Sequence, residues 1–162
     1  MLKQRCVYFL LLYCLLSCGV ASADERHLRT VVSVYDGDTV RFGNGQRARL
    51  LGISAPEIKS QYRAGEVGGI AARDWLKAKV VGKKVLVEYD KQRYDKYQRA
   101  LVHIFLADGE HINVAMVASG LAFSLIIPPN LHYAEGVILA EKTAERHRLG
   151  IWAAAHYQPS ER

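Results

Sequence analysis

Between residues 30 and 53, apolar and polar positions alternate in short β-rich runs broken by turn chemistry. The runs are Val31-Val32-Ser33-Val34-Tyr35, Thr39-Val40-Arg41-Phe42 and residues 48–53, and the breaks are Asp36-Gly37 and Gly43-Asn44-Gly45. Asp-Gly and Asn-Gly favour the tight turns that match strand twist, so three consecutive antiparallel strands are predicted. Pro56 ends the third, because it has no amide to donate and holds Ala55 extended. The period then changes. Val67, Ile70, Ala71, Trp75 and Ala78 recur at helical spacing, with Arg73, Lys77 and Lys79 around the other side, which predicts a helix over Gly69–Val80 stopped by Gly82. Residues 85–89 and 101–105 read as two more strands, and the charged stretch 90–99 between them as an exposed loop. Ile112, Ala115, Met116 and Ser119 form a second helical stripe ending near Gly120. Val137, Ala140 and Ala144 form a third within residues 133–148, closed by Gly150, and Pro128-Pro129 separates the two.

This pattern holds no internal repeat, low-complexity tract or interdomain linker, so one α+β domain is expected. Five short strands with an inserted helix fit a small closed Greek-key barrel better than an open sheet. The expected fold is therefore a five-stranded OB-fold β-barrel with three helices.

The first residues follow a different rule. Lys3 and Arg5 precede an uncharged, leucine-rich run over residues 6–23 that ends in Ala21-Ser22-Ala23 before Asp24-Glu25. A basic start, an apolar middle and a small-residue end are the order of a secretory signal peptide, with cleavage expected after Ala23 and a single domain over residues 24–162. Such a leader implies a secreted or periplasmic protein. Two other readings fit the same residues: an uncleaved anchor, since about 18 uncharged residues nearly span a bilayer, and a lipoprotein, since Leu15-Leu16-Ser17-Cys18 resembles a lipidation box. Cleavage after Ala23 removes all three cysteines, Cys6, Cys14 and Cys18, so the mature chain is expected to rely on packing without a disulfide.

Composition narrows the class without naming it. Half of the 162 residues are apolar and 23% are charged, which excludes a disordered chain and a multi-pass membrane protein. The 22 Lys and Arg against 16 Asp and Glu give a formal charge of +6, a balance that favours anionic partners such as nucleic acid or acidic lipid.

Three local constellations could carry chemistry. Asp36-Gly37-Asp38-Thr39 places two carboxylates around one turn, where a hard cation could collect oxygen ligands, although an Asp-Gly hairpin turn accounts for the same residues. Arg49 opens an apolar strand that ends shortly before Glu57; a guanidinium could clamp a phosphate while the carboxylate activates water, or the two could form a structural ion pair. Asp95-Lys96-Tyr97-Gln98-Arg99 gathers an ammonium, a phenol and a guanidinium, donors suited to a phosphoryl transition state or simply to a solvated loop. Elsewhere the plainer readings apply. His103 reads as a satisfied histidine in an apolar strand, with His111, His132, His147 and His156 too dispersed along the chain for a zinc site. Trp75 and Trp152 read as packing residues, and Glu88 as an ion-pair partner for a basic residue of the third helix or the N-terminal segment.

Taken together these motifs resemble the staphylococcal nuclease, or thermonuclease, family. The resemblance rests on Val34-Tyr35-Asp36-Gly37-Asp38-Thr39-Val40, Arg49-Leu50-Leu51-Gly52-Ile53-Ser54-Ala55-Pro56-Glu57, Gly82-Lys83-Lys84-Val85, Val87-Glu88-Tyr89-Asp90, Asp95-Lys96-Tyr97-Gln98-Arg99, Ala118-Ser119-Gly120-Leu121-Ala122 and Leu149-Gly150-Ile151-Trp152. It spans residues 31–152, the expected domain core. It implies a calcium-dependent endonuclease of the thermonuclease type acting on DNA and/or RNA, leaving a 5′-hydroxyl and a 3′-phosphate, as a monomer with no obligate protein partner. Carried over by position, it implies Glu57 as candidate general base, Arg49 and Arg99 on the scissile phosphate, and Lys96 and Tyr97 near a nucleotide phosphate. It further implies Asp38 as a calcium ligand, joined by the Ala55 backbone carbonyl.

Three departures bear on that expectation. Family members carry Asp where this chain has Ser54, so the calcium site loses a charge and weaker binding is expected, unless Asp36 turns inward. Gln98 stands where a glycine is usual, at a turn expected to need positive φ. Residues 123–129 also lack the tyrosines that flank a nucleotide base in the family, and Phe123 is expected in the core. The alternative function is therefore a catalytically weakened barrel that serves as a nucleic-acid-binding module.

Overall fold

A computed structural model describes residues 26–59 and 65–153. The expected leader and the three cysteines lie outside the described residues, as does His156. Among the described residues, no helix is long and apolar enough to cross a membrane.

In chain order the strands are β1 (His27–Val34), β2 (Thr39–Phe42), β3 (Arg47–Leu50), β4 (Ile53–Ser54), β5 (Lys84–Tyr94), β6 (Ala100–Phe105) and β7 (Phe123–Ser124). The helices are α1 (Gly69–Val80), α2 (Ile112–Ala118) and α3 (Ala134–Arg146), followed by a 3-10 turn, Gly150–Ala153. Five strands close a barrel in the order β1-β2-β3-β6-β5. The β3–β6 ladder is parallel and the other four are antiparallel. The expected five-stranded α+β barrel with three helices is therefore the fold.

Alternation decides which side chains fill it. Val40 and Phe42 of β2, Ala48 and Leu50 of β3, Val85 and Val87 of β5, and Val102 and Ile104 of β6 point inward and are fully buried. Their outward neighbours include Arg41, Arg47 and Arg49, so the β2–β3 ladder is oily inside and cationic outside. Helix α1 has the predicted bounds but buries a different face: Gly69, Ala72, Leu76 and Val80 go inward, while Val67, Ile70, Ala71 and Ala78 of the expected stripe are exposed and Trp75 is half-buried, because the barrel wall meets the neighbouring row of the helix. Lys77 and Lys79 in its last turn meet the negative end of the helix dipole.

The structure corrects three boundaries. The third strand does not run through residue 53: Gly52, at φ 76°, turns the chain, and β4 leaves the barrel to pair with β7. Strand β7 was not expected, because two residues carry no readable period. The charged stretch is a loop only over residues 95–99, since β5 continues to Tyr94 and pairs there with Ala100. A ladder at the barrel rim needs backbone partners and no apolar alternation, so side-chain pattern could not reveal it.

Candidate active site

The two carboxylates of the first turn both reach one cleft of about 400 Å³ on the outside of β2 and β3. Gly37 lies between them against Ala55 and Ala72, where a Cβ has no room, so the turn is locked to the chain after β4 and to α1. Asp38 is buried: it forms an ion pair with Arg49, accepts from the Thr39 hydroxyl at 3.1 Å, and accepts from the Ala55 amide at 2.9 Å. Asp36 accepts from the Asp38 amide at 3.0 Å and turns toward the cleft. Burial pushes its carboxyl above the usual range, against the pull of the Thr39 hydroxyl and the Arg49 guanidinium.

Arg49 projects from the outward face of β3 and also donates to the Ile53 carbonyl at 3.2 Å, so the turn after β3 helps to aim it. Burial pulls its pKa down to about 10, with Asp36 and Glu57 acting the other way and Arg99 reinforcing the fall. The guanidinium is still charged at neutral pH. Glu57 enters the cleft from the extended segment behind Pro56. Its amide donates to the Glu66 carboxylate at 3.0 Å and its carbonyl accepts from the Glu66 amide at 2.8 Å. Gly69 makes room for this segment at the start of α1, since a Cβ there would come within 2.6 Å of the Glu57 carbonyl oxygen.

The loop after β5 brings the second arginine. Asp95 accepts from the amides of Tyr97 and Arg99, both at 2.9 Å, and pairs with Arg99 Nε at 2.7 Å. Burial pushes the Asp95 carboxyl up, but the Arg99 and Tyr97 donors outweigh it and hold it below the usual range. Gln98 adopts φ 59°, the left-handed conformation expected of that position, and the loop keeps its shape without a glycine. Tyr97 lines the cleft, with the Arg99 guanidinium 5.6 Å from its ring centre. Lys96 is exposed with its ammonium 5.1 Å from the same ring and lies outside the cleft wall.

Asp36, Asp38, Arg49, Ser54, Ala55, Glu57, Tyr97 and Arg99 thus come from five chain segments to one cleft. Sequence reasoning did not identify Asp95 as the residue that holds Arg99, or Arg47 at the rim of the same cleft. The oxygen-only set of Asp36, Asp38, Ser54 and the Ala55 carbonyl suits a hard divalent cation, and a cation would also offset the burial cost of Asp36. Among the described residues, no group of three His, Cys, Asp or Glu is arranged to hold a metal by itself. These oxygens could therefore supply only part of a cation's shell.

A second cleft of about 320 Å³ adjoins the first, with Arg49 and Arg99 common to both. Its floor is aliphatic, including Leu51, Leu125 and Ile127, with no aromatic plane. Phe123 is buried and meets Trp152 edge to face, ring centres 5.5 Å apart, so it serves the core. Away from both clefts, Glu88 pairs with Arg26 at 3.2 Å and His132 at 3.5 Å and accepts from the Tyr133 hydroxyl at 2.9 Å, the structural role expected of it. His103 and His111, eight residues apart in sequence, are brought to 3.2 Å.

The family model described as "Staphylococcal nuclease homologue" matches residues 47–154. The chain is 33% identical over 140 residues to the thermonuclease of Staphylococcus hyicus, covering 85% of this chain and 82% of that protein. It is 35% identical over 125 residues to the thermonuclease of Staphylococcus intermedius, covering 75% and 74%. A protein of Escherichia coli described as an uncharacterized endonuclease is 32% identical over 132 residues, covering 80% and 79%.

Proposed function

Because the chain belongs to the staphylococcal nuclease homologue family, we propose that it is an exported, metal-assisted phosphodiesterase that hydrolyses DNA and/or RNA. The observation that carries this reading is the meeting of Glu57 with two arginines and two aspartates in one cleft. In this reading the scissile phosphate lies on Arg49 and Arg99, whose planar guanidiniums match its non-bridging oxygens and the charge that grows on them in the transition state. The Glu57 carboxylate takes a proton from water as the water oxygen bonds to phosphorus. The bond from phosphorus to the 5′ oxygen breaks, and that oxygen takes a proton from solvent, leaving a 5′-hydroxyl and a 3′-phosphate. Tyr97 and Lys96 hold an adjoining phosphate. Asp36, Asp38, Ser54 and the Ala55 carbonyl would hold calcium, which when bound polarises the phosphate. The protein acts as a monomer outside the cytoplasm, delivered by the leader at residues 1–23.

One observation favours a second reading. Arg49 is paired with Asp38, and Ser54 supplies no charge, so the cleft could hold nucleic acid without an efficient metal site. One experiment separates the two: cleavage of single-stranded DNA, double-stranded DNA and RNA by the purified protein, with calcium titrated in and then chelated. Calcium-dependent cleavage is expected, with Glu57→Gln lowering turnover by about 10²–10⁴-fold and Arg99→Ala by about 10²–10³-fold while circular dichroism stays unchanged. Near-full activity in either variant would refute its assigned role. A folded protein that binds nucleic acid in a salt-sensitive way but fails to cleave it whichever divalent metal is added would be the binding module.

A further inference from the structure

The outward face of the β2–β3 ladder carries more positive charge than catalysis needs. Arg41 is directly opposite Arg47 in the β2–β3 register, and both are exposed. Like charges facing each other across a ladder are destabilising. Among the described residues, neither takes part in an ion pair that would relieve the cost. Alternation puts Arg47 and Arg49 on the same face of β3, and the parallel pairing of Ala48 with Ala100 brings Arg47 level with Arg99, the loop residue just before β6, with which it lines the cleft. A row of guanidiniums therefore continues from the cleft across β3 to β2. Within this row the Arg47 guanidinium lies 5.1 Å from the ring centre of Tyr35, which is 45% exposed just beyond β1. Tyr97 and Arg99 make a matching pair at the other side of the cleft, also with the ring exposed.

We propose that Tyr35, Arg41 and Arg47 form a second nucleic-acid subsite, which takes the neighbouring nucleotide of a single strand whose scissile phosphate lies on Arg49 and Arg99. Arg41 and Arg47 bind the flanking phosphate, whose charge relieves their mutual repulsion. Tyr35 offers its ring to the adjacent base, a contact that every base can make and that a base inside a duplex cannot. The proposal rests on the nuclease reading above and adds to it a dependence on oligonucleotide length.

The test is binding of fluorescein-labelled thymidine oligonucleotides of about 4 and about 12 nucleotides, followed by fluorescence anisotropy in chelator at several salt concentrations. The wild-type protein should bind the longer oligonucleotide more tightly, and Tyr35→Ala/Arg47→Gln should lose about tenfold in affinity for it while losing much less for the shorter one. Arg41→Gln/Arg47→Gln, which keeps the ring, should flatten the plot of log affinity against log salt by about 0.7 for each phosphate contact removed. Both variants change exposed positions, and far-ultraviolet circular dichroism checks their fold. Wild-type affinity for the longer oligonucleotide in both variants, or an equal loss at both lengths, would overturn the subsite while leaving the nuclease intact. A wild-type protein that neither binds nor cleaves nucleic acid of any length would overturn both.

Discussion

Asp38 spends its carboxylate inside the protein, on Arg49, the Thr39 hydroxyl and the Ala55 amide, so it reaches a cation only by sharing oxygens already in use. That makes the charge of its neighbours decisive. Ser54 supplies a neutral oxygen, and Asp36, turned toward the cleft with its carboxyl pushed up by burial, is the other carboxylate of the same turn. Ser54→Asp is expected to tighten calcium binding by about tenfold or more, since affinity in oxygen sites follows ligand charge. Isothermal titration with calcium alone reads this directly, and an unchanged affinity would show that the cation does not sit beside residue 54. At this scale the sequence was informative wherever a residue's type and spacing determine its role. Asp38, Arg49, Glu57 and Arg99 were all found by motif and meet in one cleft. The direction of Asp36 was not readable, because an Asp-Gly turn contains the same residues whichever way the first carboxylate rotates.

The elements around the cleft are joined by one side chain that carries no motif. Asn113, fully buried in α2, donates to the carbonyls of Leu51 at 2.9 Å and Val102 at 3.1 Å and accepts from the Ile104 amide at 3.1 Å. It therefore pins the helix to β6 and to the turn that follows β3, the same turn whose Ile53 carbonyl helps to aim Arg49. Asn113→Ala would leave three buried backbone groups without this partner, and a loss of about 2–4 kcal/mol is expected. Urea unfolding measures it, and a change below about 0.5 kcal/mol, typical of an unengaged surface position, would refute the role. A polar residue inside an apolar stripe looks like an exception to the helical period, so periodicity alone hides such a tie. Helix α1 was legible in its bounds, where Gly82 stops it, but not in its buried face, because apolar residues lie on more than one row and only the barrel decides between them; the break at Gly52 and the pairing of β4 with β7 likewise depend on contacts between segments far apart in sequence.

For the whole molecule, the response to acid follows from a second group of buried polar side chains. His103 and His111 are held 3.2 Å apart between β6 and the chain entering α2. Asn113 Nδ2, whose two hydrogens are given to the Leu51 and Val102 carbonyls, lies 3.4 Å from the same His103 nitrogen. Burial, reinforced by the neighbouring imidazole, pulls His103 down to about 3. Burial, with the Arg26 guanidinium, pulls His111 down to about 4. Tyr133 stacks edge-on against both, Glu88 and Asp90 face the group from β5, and His132 completes it. Both folded values lie below the ordinary histidine value of 6.5, so the unfolded chain binds more protons than the folded one as the pH falls below 6.5. The stability contributed by the neutral pair is fully present above that value and is lost as the pH falls to about 4 and then about 3, with a slope of at most about 1.4 kcal/mol per pH unit for each histidine. Asp95, whose carboxyl is held low, loses its contribution only below its ordinary value of 3.8, and Asp36, whose carboxyl is raised, acts with the opposite sign. The span between pH 6.5 and 4 therefore separates the histidine pair from Asp95, whereas Asp36 opposes the pair within it and leaves the histidine variant as the control that isolates the pair. Urea midpoints measured across that span should fall steadily with acid in the wild type, and His103→Gln/His111→Gln should flatten the fall whatever it does to stability at neutral pH. An unchanged slope in the double variant would mean that the acid response arises elsewhere in the chain.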